Sequence, residues 1–316
     1  MQMEPIATKR VAVVATGVIG ASWAAFFLAR GLDVEATDPS PDAEARLHAA
    51  VAAHWPTLER FGLATGASAG RLRFHARLED AVAQADFVQE SGPERLDFKT
   101  DLFRRMDEAA PAHAILASSS SGLAISAVQA ECKHPERVVL GHPFNPPHLI
   151  PLVEVVGGER TSAQTVERTM AFYAAIGKRP IHVKREVKGH IANRLQAALW
   201  REAFHLVDEG VASVADIDTA IAHGPGLRWA VMGPFMNLHL SGGAGGIEHV
   251  LAHLGGPIED WWKDLGAPTM TPELKQKVAE GVAEELGARR VAELEAARDI
   301  LLLNLIRAKA DTGRLD

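Results

Sequence analysis

His142, Asn145 and Glu154 place an imidazole, an amide and a carboxylate in one short stretch, Gly141-His-Pro-Phe-Asn-Pro-Pro-His-Leu-Ile-Pro-Leu-Val-Glu154. A histidine whose ring is held by a carboxylate is a general acid–base group with its tautomer fixed. The apolar run Val138-Val139-Leu140 leads into His142, and prolines follow at 143, 146, 147 and 151. Proline donates no backbone N–H, so this is neither a helix interior nor a central strand. It reads as a buried strand that ends in a stiff loop, then a short extended piece ending on Glu154. The plain alternative is a proline-rich connection with a structural histidine.

A second chemical site lies near the N-terminus. The buried strand Val11–Val14 runs into Ala15-Thr16-Gly17-Val18-Ile19-Gly20, followed by an apolar helix to Arg30 and a second strand, Val34–Asp38. A glycine turn between strand and helix, with an acid about twenty residues on, is what a dinucleotide site requires. Ala15, Gly17, Val18, Ile19 and Gly20 then form the turn, with the pyrophosphate at the helix N-terminus. Asp38 would accept from the adenosine ribose hydroxyls and repel a 2′-phosphate, which favours NAD over NADP. Ala15 stands where the first glycine would be, and its Cβ crowds the turn.

The elements that position these groups alternate strand and helix as far as Glu186. The chain then reads helical, with Ile191, Leu195, Leu199, Ala203 and Leu206 on one apolar stripe. The expected fold is α/β, a Rossmann-type doubly wound, mostly parallel sheet over 1–186, followed by an all-helical C-terminal domain over 187–316. Gly224-Pro225-Gly226 reads as a turn, and Trp261-Trp262 as an irregular region. At 316 residues and 47% hydrophobic, the chain suits two domains with a sizeable core. A net charge of −7 offers no basic field for nucleic acid. No apolar run reaches membrane-span length, and the first ten residues lack the apolar core of a secretory signal. One cysteine, Cys132, excludes an internal disulfide and a Cys-based zinc site. Most of the fourteen histidines read as surface or core residues, with no metal site expected, and a soluble cytoplasmic protein is the expectation.

With these motifs laid out, the chain resembles the 3-hydroxyacyl-CoA dehydrogenase superfamily over nearly its full length. The likeness rests on the glycine turn, Gln89-Glu90-x-x-Pro93-Glu94 with Lys99, the run Ser118–Ser121, His142-x-x-Asn145, Leu152-Val153-Glu154, Gly189-x-x-x-Asn193-Arg194 and Met232-Gly233-Pro234. Within it the chain looks closest to the free-acid branch of L-carnitine dehydrogenase, L-gulonate 3-dehydrogenase and lambda-crystallin. The four serines, Pro93–Leu96 and Gly226-Leu227-Arg228-Trp229 carry that closer likeness. The resemblance implies that His142 takes the hydroxyl proton and Glu154 orients it. It implies that Ser121 and Asn193 bond the substrate oxygen, and that Glu94, Lys99, Ser119 and Asn145 line the nicotinamide side. A homodimer through the helical half is likewise implied.

The leading expectation is an NAD-dependent dehydrogenase of small 3-hydroxy acids. A second is a 3-hydroxyacyl-CoA dehydrogenase, but Ala43–Gly70 holds only Arg46 and Arg60 to meet the phosphates of coenzyme A. A third is a catalytically silent nucleotide-binding or structural protein, against which the set Ser121, His142, Glu154 and Asn193 argues. Arg228 offers a fork that matches a carboxylate, and Trp229 a face for a cation. Together they read as a substrate-binding pair for a short acid, with a structural ion pair and a core tryptophan as the alternative.

Overall fold

The computed structural model describes residues 8–312, which form two compact units divided between Arg194 and Leu195. The first unit alternates strand and helix: β1 (Arg10–Val14), α1 (Val18–Ala29), β2 (Asp33–Thr37), α2 (Ala43–Phe61), β3 (Leu72–His75), α3 (Leu78–Val82), β4 (Phe87–Glu90), α4 (Leu96–Ala109), β5 (Ile115–Ser118), α5 (Ile125–Val128), β6 (Val138–Pro143), β7 (Leu152–Gly157), α6 (Ala163–Ala175) and β8 (Arg179–Val183). The strands make one sheet in the order β3-β2-β1-β4-β5-β6-β7-β8. β1 to β6 run parallel, while β7 is antiparallel to β6 and parallel to β8. The order reverses at β1, the switch point whose carboxyl-end crevice receives ligands in such sheets.

The central strands are buried along their length because helices cover both faces, and they are apolar except where β4 to β7 carry Gln89, Glu90, Ser118, His142 and Glu154. α1 is the clearest case: Trp23, Ala24, Ala25, Phe26, Phe27 and Leu28 are all buried, so it is a core helix rather than an amphipathic one. Trp23 stacks on Phe27 at 5.0 Å and on Tyr173 at 5.8 Å. Each such aromatic contributes roughly 1.5–3 kcal/mol by leaving water.

The proline-rich connection between β6 and β7 is fastened to this core from below. Lys178, fully buried, donates from Nζ to the carbonyls of Pro147 and Ile150 and lies 4.0 Å from the ring centroid of Phe26. Burial, with Arg30 nearby, pulls the Lys178 ammonium well below the usual lysine range. The Ser22 hydroxyl accepts from the backbone N–H of His148 at 2.9 Å and lies 2.8 Å from its Nδ1. A connection without regular backbone pairing is thereby held by side chains from α1 and from the residue just before β8.

A buried polar strand underlies β4 to β6. The Tyr173 hydroxyl donates to Gln89 Oε1 at 2.6 Å, and Gln89 Nε2 donates to Ser119 Oγ at 2.8 Å and to the Gly141 carbonyl at 3.3 Å. The space for Tyr173 exists because residue 141 is glycine: a Cβ there would lie 2.1 Å from the hydroxyl oxygen.

The second unit is helical: the continuation of α7 (Ala192–Asp208), then α8 (Val214–His223), α9 (Pro225–Val231), α10 (Pro234–Ser241), α11 (Gly246–Asp264), α12 (Pro272–Leu286) and α13 (Val291–Thr312). Two local expectations are corrected. Trp261 and Trp262 lie in the last turn of α11, which continues through Pro257, so the proline did not end the helix. Arg228 and Trp229 lie on α9, which Pro225 opens from a first-turn position that needs no N–H donor. His249 and His253, an i,i+4 pair on α11, escaped the sequence reading; their rings are 4.1 Å apart. Among the described residues no group of three or more His, Cys, Asp or Glu could hold a metal ion, and no helix is long and apolar enough to cross a membrane.

Gly141→Ala tests the polar strand. The new methyl must displace a buried, bonded phenol, so a loss of about 1–3 kcal/mol is expected from overpacking. Urea denaturation midpoints measure it, and an unchanged midpoint would show that Tyr173 moves freely.

Candidate active site

His142 and Glu154 are directly paired across β6 and β7, so the sheet register sets their side chains next to one another. His142 Nδ1 lies 2.9 Å from Glu154 Oε2. The carboxylate accepts, so Nδ1 carries the proton and, in the neutral ring, Nε2 carries the lone pair. Glu154 has no exposed surface, and its Oε1 accepts the backbone N–H groups of Ile191 at 2.8 Å and Ala192 at 3.0 Å. These amides open α7, whose first turn carries Asn193. Burial pushes the Glu154 carboxyl up, but the bonds from His142, Ala192 and Ile191 outweigh it and hold it below the usual glutamate range. One carboxylate therefore orients the imidazole and fixes the start of the helix that presents Asn193.

The serine run is held from the other side. Glu94 Oε1 accepts from the Ser120 hydroxyl at 2.6 Å and the Gly122 amide at 2.7 Å. Burial raises the Glu94 carboxyl, and these bonds with Lys99 nearby bring it below its ordinary value. Ser119 bonds Gln89 and lies 2.9 Å from the Ser91 hydroxyl, while Ser121 is exposed on the loop. Asn145 is exposed on the proline connection and Asn193 is half-buried.

Lys99 departs from its expected place on the nicotinamide side. It is 1% exposed, and its ammonium meets three acceptors: Glu90 Oε1 at 2.6 Å, Glu90 Oε2 at 2.8 Å and the Gly92 carbonyl at 3.2 Å. Three N–H groups on three oxygens leave none for a ligand, so Lys99 supports the turn after β4 from beneath. Glu90, bonded also by Ser118 at 2.7 Å, is the partner, a residue of the same motif to which the sequence assigns no role. An acid ending one strand and a lysine nine residues on carry no sign of pairing until the helix is placed.

The glycine turn fits a dinucleotide. Gly17 caps α1 with no side chain on the helix amides, the first turn holds no acid, and a Cβ on Gly17 would meet nothing within 4 Å. An anion can reach those N–H groups unopposed. At Gly20 a Cβ would lie 2.0 Å from the Ala15 carbonyl oxygen, so only glycine allows this close approach. Ala15 itself holds φ +68°, a left-handed conformation that a side chain disfavours. Asp38 bonds the Thr16 amide at 2.8 Å through Oδ2 and the Ser40 amide at 2.8 Å through Oδ1. Burial raises the Asp38 carboxyl and these bonds more than offset it, keeping it charged. Beside the turn, Ala15, Thr37, Pro39, Leu78 and Phe98 line a cavity of about 370 Å³ whose wall also carries the charged Arg77, Glu79, Asp101 and Arg105.

This geometry defines an NAD-dependent oxidoreductase. The model of the 3-hydroxyacyl-CoA dehydrogenase NAD binding domain matches residues 10–187, and that of the C-terminal domain matches residues 189–285. The chain belongs to the 3-hydroxyacyl-CoA dehydrogenase family, and it acts on a CH–OH group with NAD. It is 53% identical over 311 residues to an L-carnitine dehydrogenase of Streptomyces griseus, covering 98% of this chain and 92% of the relative. An L-carnitine dehydrogenase of Pseudomonas aeruginosa is 52% identical over 304 residues, covering 96% and 95%. Among solved structures, an NAD⁺-dependent dismutase, 5-formyl-3-hydroxy-2-methylpyridine 4-carboxylic acid 5-dehydrogenase, superposes with TM-score 0.84 at 32% identity, covering 96% of this chain and 99% of that one.

Two expectations follow. In Ala15→Gly, relief of a left-handed alanine, worth roughly 1–2 kcal/mol, meets an unfolded-state entropy cost of about 0.4–1 kcal/mol. NADH affinity is expected to hold or tighten in a fluorescence titration, and a clear loss would mean the turn is built around alanine. The second concerns pH. A carboxylate held below its unfolded value stabilises the fold above about pH 5, and that contribution is lost as pH falls through the folded value. Glu154→Gln should therefore melt below wild type at neutral pH, with the gap closing as pH falls below about 4. A gap constant across that range would deny Glu154 its charged role.

Proposed function

We propose that this chain oxidises the 3-hydroxyl of L-carnitine, or of a closely similar short hydroxy acid, to a ketone. The buried His142–Glu154 pair carries the chemistry, and the likeness to the L-carnitine dehydrogenases supports the substrate. His142 takes the hydroxyl proton on Nε2 as the carbon loses its hydride, and Glu154 keeps the proton on Nδ1 and stabilises the imidazolium. Ser121 and Asn193 donate to the oxygen where charge develops. NAD, when bound, supplies the hydride acceptor. Ala15, Gly17, Val18, Ile19 and Gly20 hold its pyrophosphate, and Asp38 its adenosine ribose in preference to a 2′-phosphate. Glu94, Ser119 and Asn145 shape the nicotinamide side.

Arg228 and Trp229 bind the substrate's far groups, the guanidinium taking the carboxylate and the indole a quaternary ammonium. Arg228 is exposed and makes no ion pair among the described residues, and Trp229 is 44% exposed, which leaves both sides free to serve. Residues 1–186 bind NAD, and residues 187–316 bind substrate and dimerise. For the dimer the support is a thin core: Val207, Val250, Leu274 and Leu303 are the buried aliphatic side chains of the second unit among the described residues. Leu195, Trp200, Phe235, Trp262 and Leu301 are each more than half exposed. The homodimer works in the cytoplasm.

NADH formation across L-carnitine, its methyl ester, short 3-hydroxy acids and their CoA thioesters tests this reading. L-Carnitine should be the best substrate. His142→Asn should lose ~10²–10⁴-fold in rate while still binding NADH. Arg228→Met should lose kcat/KM on the acid and little on the ester. Preference for a thioester would transfer the chain to acyl-CoA chemistry, and a His142→Asn enzyme at full rate would remove His142 as the base.

A further inference from the structure

Beside His142 lies a second buried imidazole to which the mechanism gives no task. His190 is 5% exposed, and its ring centroid is 5.1 Å from that of His142. Its Nε2 faces the Ser120 carbonyl oxygen at 3.3 Å, so that nitrogen carries the proton and Nδ1 the lone pair. Nδ1 is buried and has no hydrogen-bond partner among the described residues. A bare buried polar atom costs stability, because its bond to water is lost and nothing replaces it. The backbone adds to this, because His190 holds φ +51°, where residues other than glycine are uncommon. Strain and an unmet polar atom kept together next to a reaction centre point to use. His190 also lines a cavity of about 250 Å³ with Leu123, Ile125, Leu140, Val156 and Lys188, roomy enough for water.

Each oxidation leaves one proton on His142, and its exits are few. Nδ1 faces Glu154, whose Oε1 already holds two amides and whose carboxyl is kept ionised. Nε2 faces the reacting oxygen, and the residue as a whole is 6% exposed. We propose that His190 relays this proton: it passes from Nε2 of His142 to Nδ1 of His190, and a turn of the His190 ring then brings that N–H to water in the adjoining cavity, which takes the proton. One proton leaves per turnover, the hydride having gone separately to NAD, and no further oxidant or reductant is needed. Burial first, and the neighbouring His142 second, hold the His190 imidazole below its ordinary value, against the opposing pull of the Ser120 carbonyl, Glu154 and Glu94. A relay group of that kind carries a proton briefly and gives it up readily.

The relay rests on His142 being the base, and the test separates the two. His190→Asn suits the site, since asparagine tolerates positive φ and does not titrate; His190→Phe serves as the second variant. Turnover of L-carnitine is followed in dilute and in concentrated imidazole buffer, with NADH titration to establish folding. In dilute buffer each folded variant should lose kcat by about tenfold, less than the ~10²–10⁴-fold expected for removal of a base. KM and NADH affinity should hold, and kcat should climb with imidazole concentration, while wild type stays indifferent to it. A full rate in dilute buffer, or a loss that no buffer restores, overturns the relay. In dilute buffer His142→Asn should stay ~10²–10⁴-fold below wild type. A full rate there would overturn the base assignment, and the relay with it.

Discussion

Glu154 is a full negative charge with no exposed surface, and the site is arranged around keeping it charged. A carboxylate taken out of water is tolerated only when paired and hydrogen-bonded. Here three donors meet it, one imidazole N–H and two backbone amides at the N-terminal end of α7, where the helix dipole also favours an anion. Because those donors come from separate segments, meeting the charge also sets their positions. The tautomer of His142 and the start of the helix bearing Asn193 follow from one electrostatic requirement.

The same economy recurs further along the same face of the sheet. Glu90 neutralises Lys99 beneath the turn after β4, and Glu94 gathers the serine loop above it. Neither acid is a free surface charge. Each converts an irregular segment, which by itself would leave backbone polar groups unmet, into a fixed wall. The glycine turn works by steric rather than electrostatic means: Gly20 lets the chain pass close to the Ala15 carbonyl, and Asp38 closes the gap by bonding Thr16.

The fold was legible because its signals are local. Apolar strands followed by helices, a glycine turn and an acid at the end of β2 each declare themselves within a few residues. His142 and Glu154 could be read as partners because a short proline connection joins them. What could not be read were pairings fixed by packing. The resemblance puts Lys99 on the nicotinamide side, and nothing in the sequence shows that its ammonium is held by Glu90 of the same motif. His190 sat unremarked between Gly189 and Asn193, because its neighbour in space lies some fifty residues earlier. The exposed stripe of Leu195 and Leu199 read equally well as core, since periodicity names a face but not what covers it.

The antiparallel turn of β7 has a consequence for how this enzyme can vary. Side chains alternate across a strand, so a slip of one residue in the β6–β7 pairing would send Glu154 to the opposite face of the sheet and leave His142 without its carboxylate. The connection between the strands is under a weaker constraint, because lengthening a loop adds closure entropy only slowly. A change of length in the connection therefore leaves the His142–Glu154 pairing intact so long as Lys178 and Ser22 keep their holds on Pro147, His148 and Ile150, whereas a one-residue insertion within either strand breaks it. A lineage could remodel the mouth of the site while the reacting pair stays locked in step.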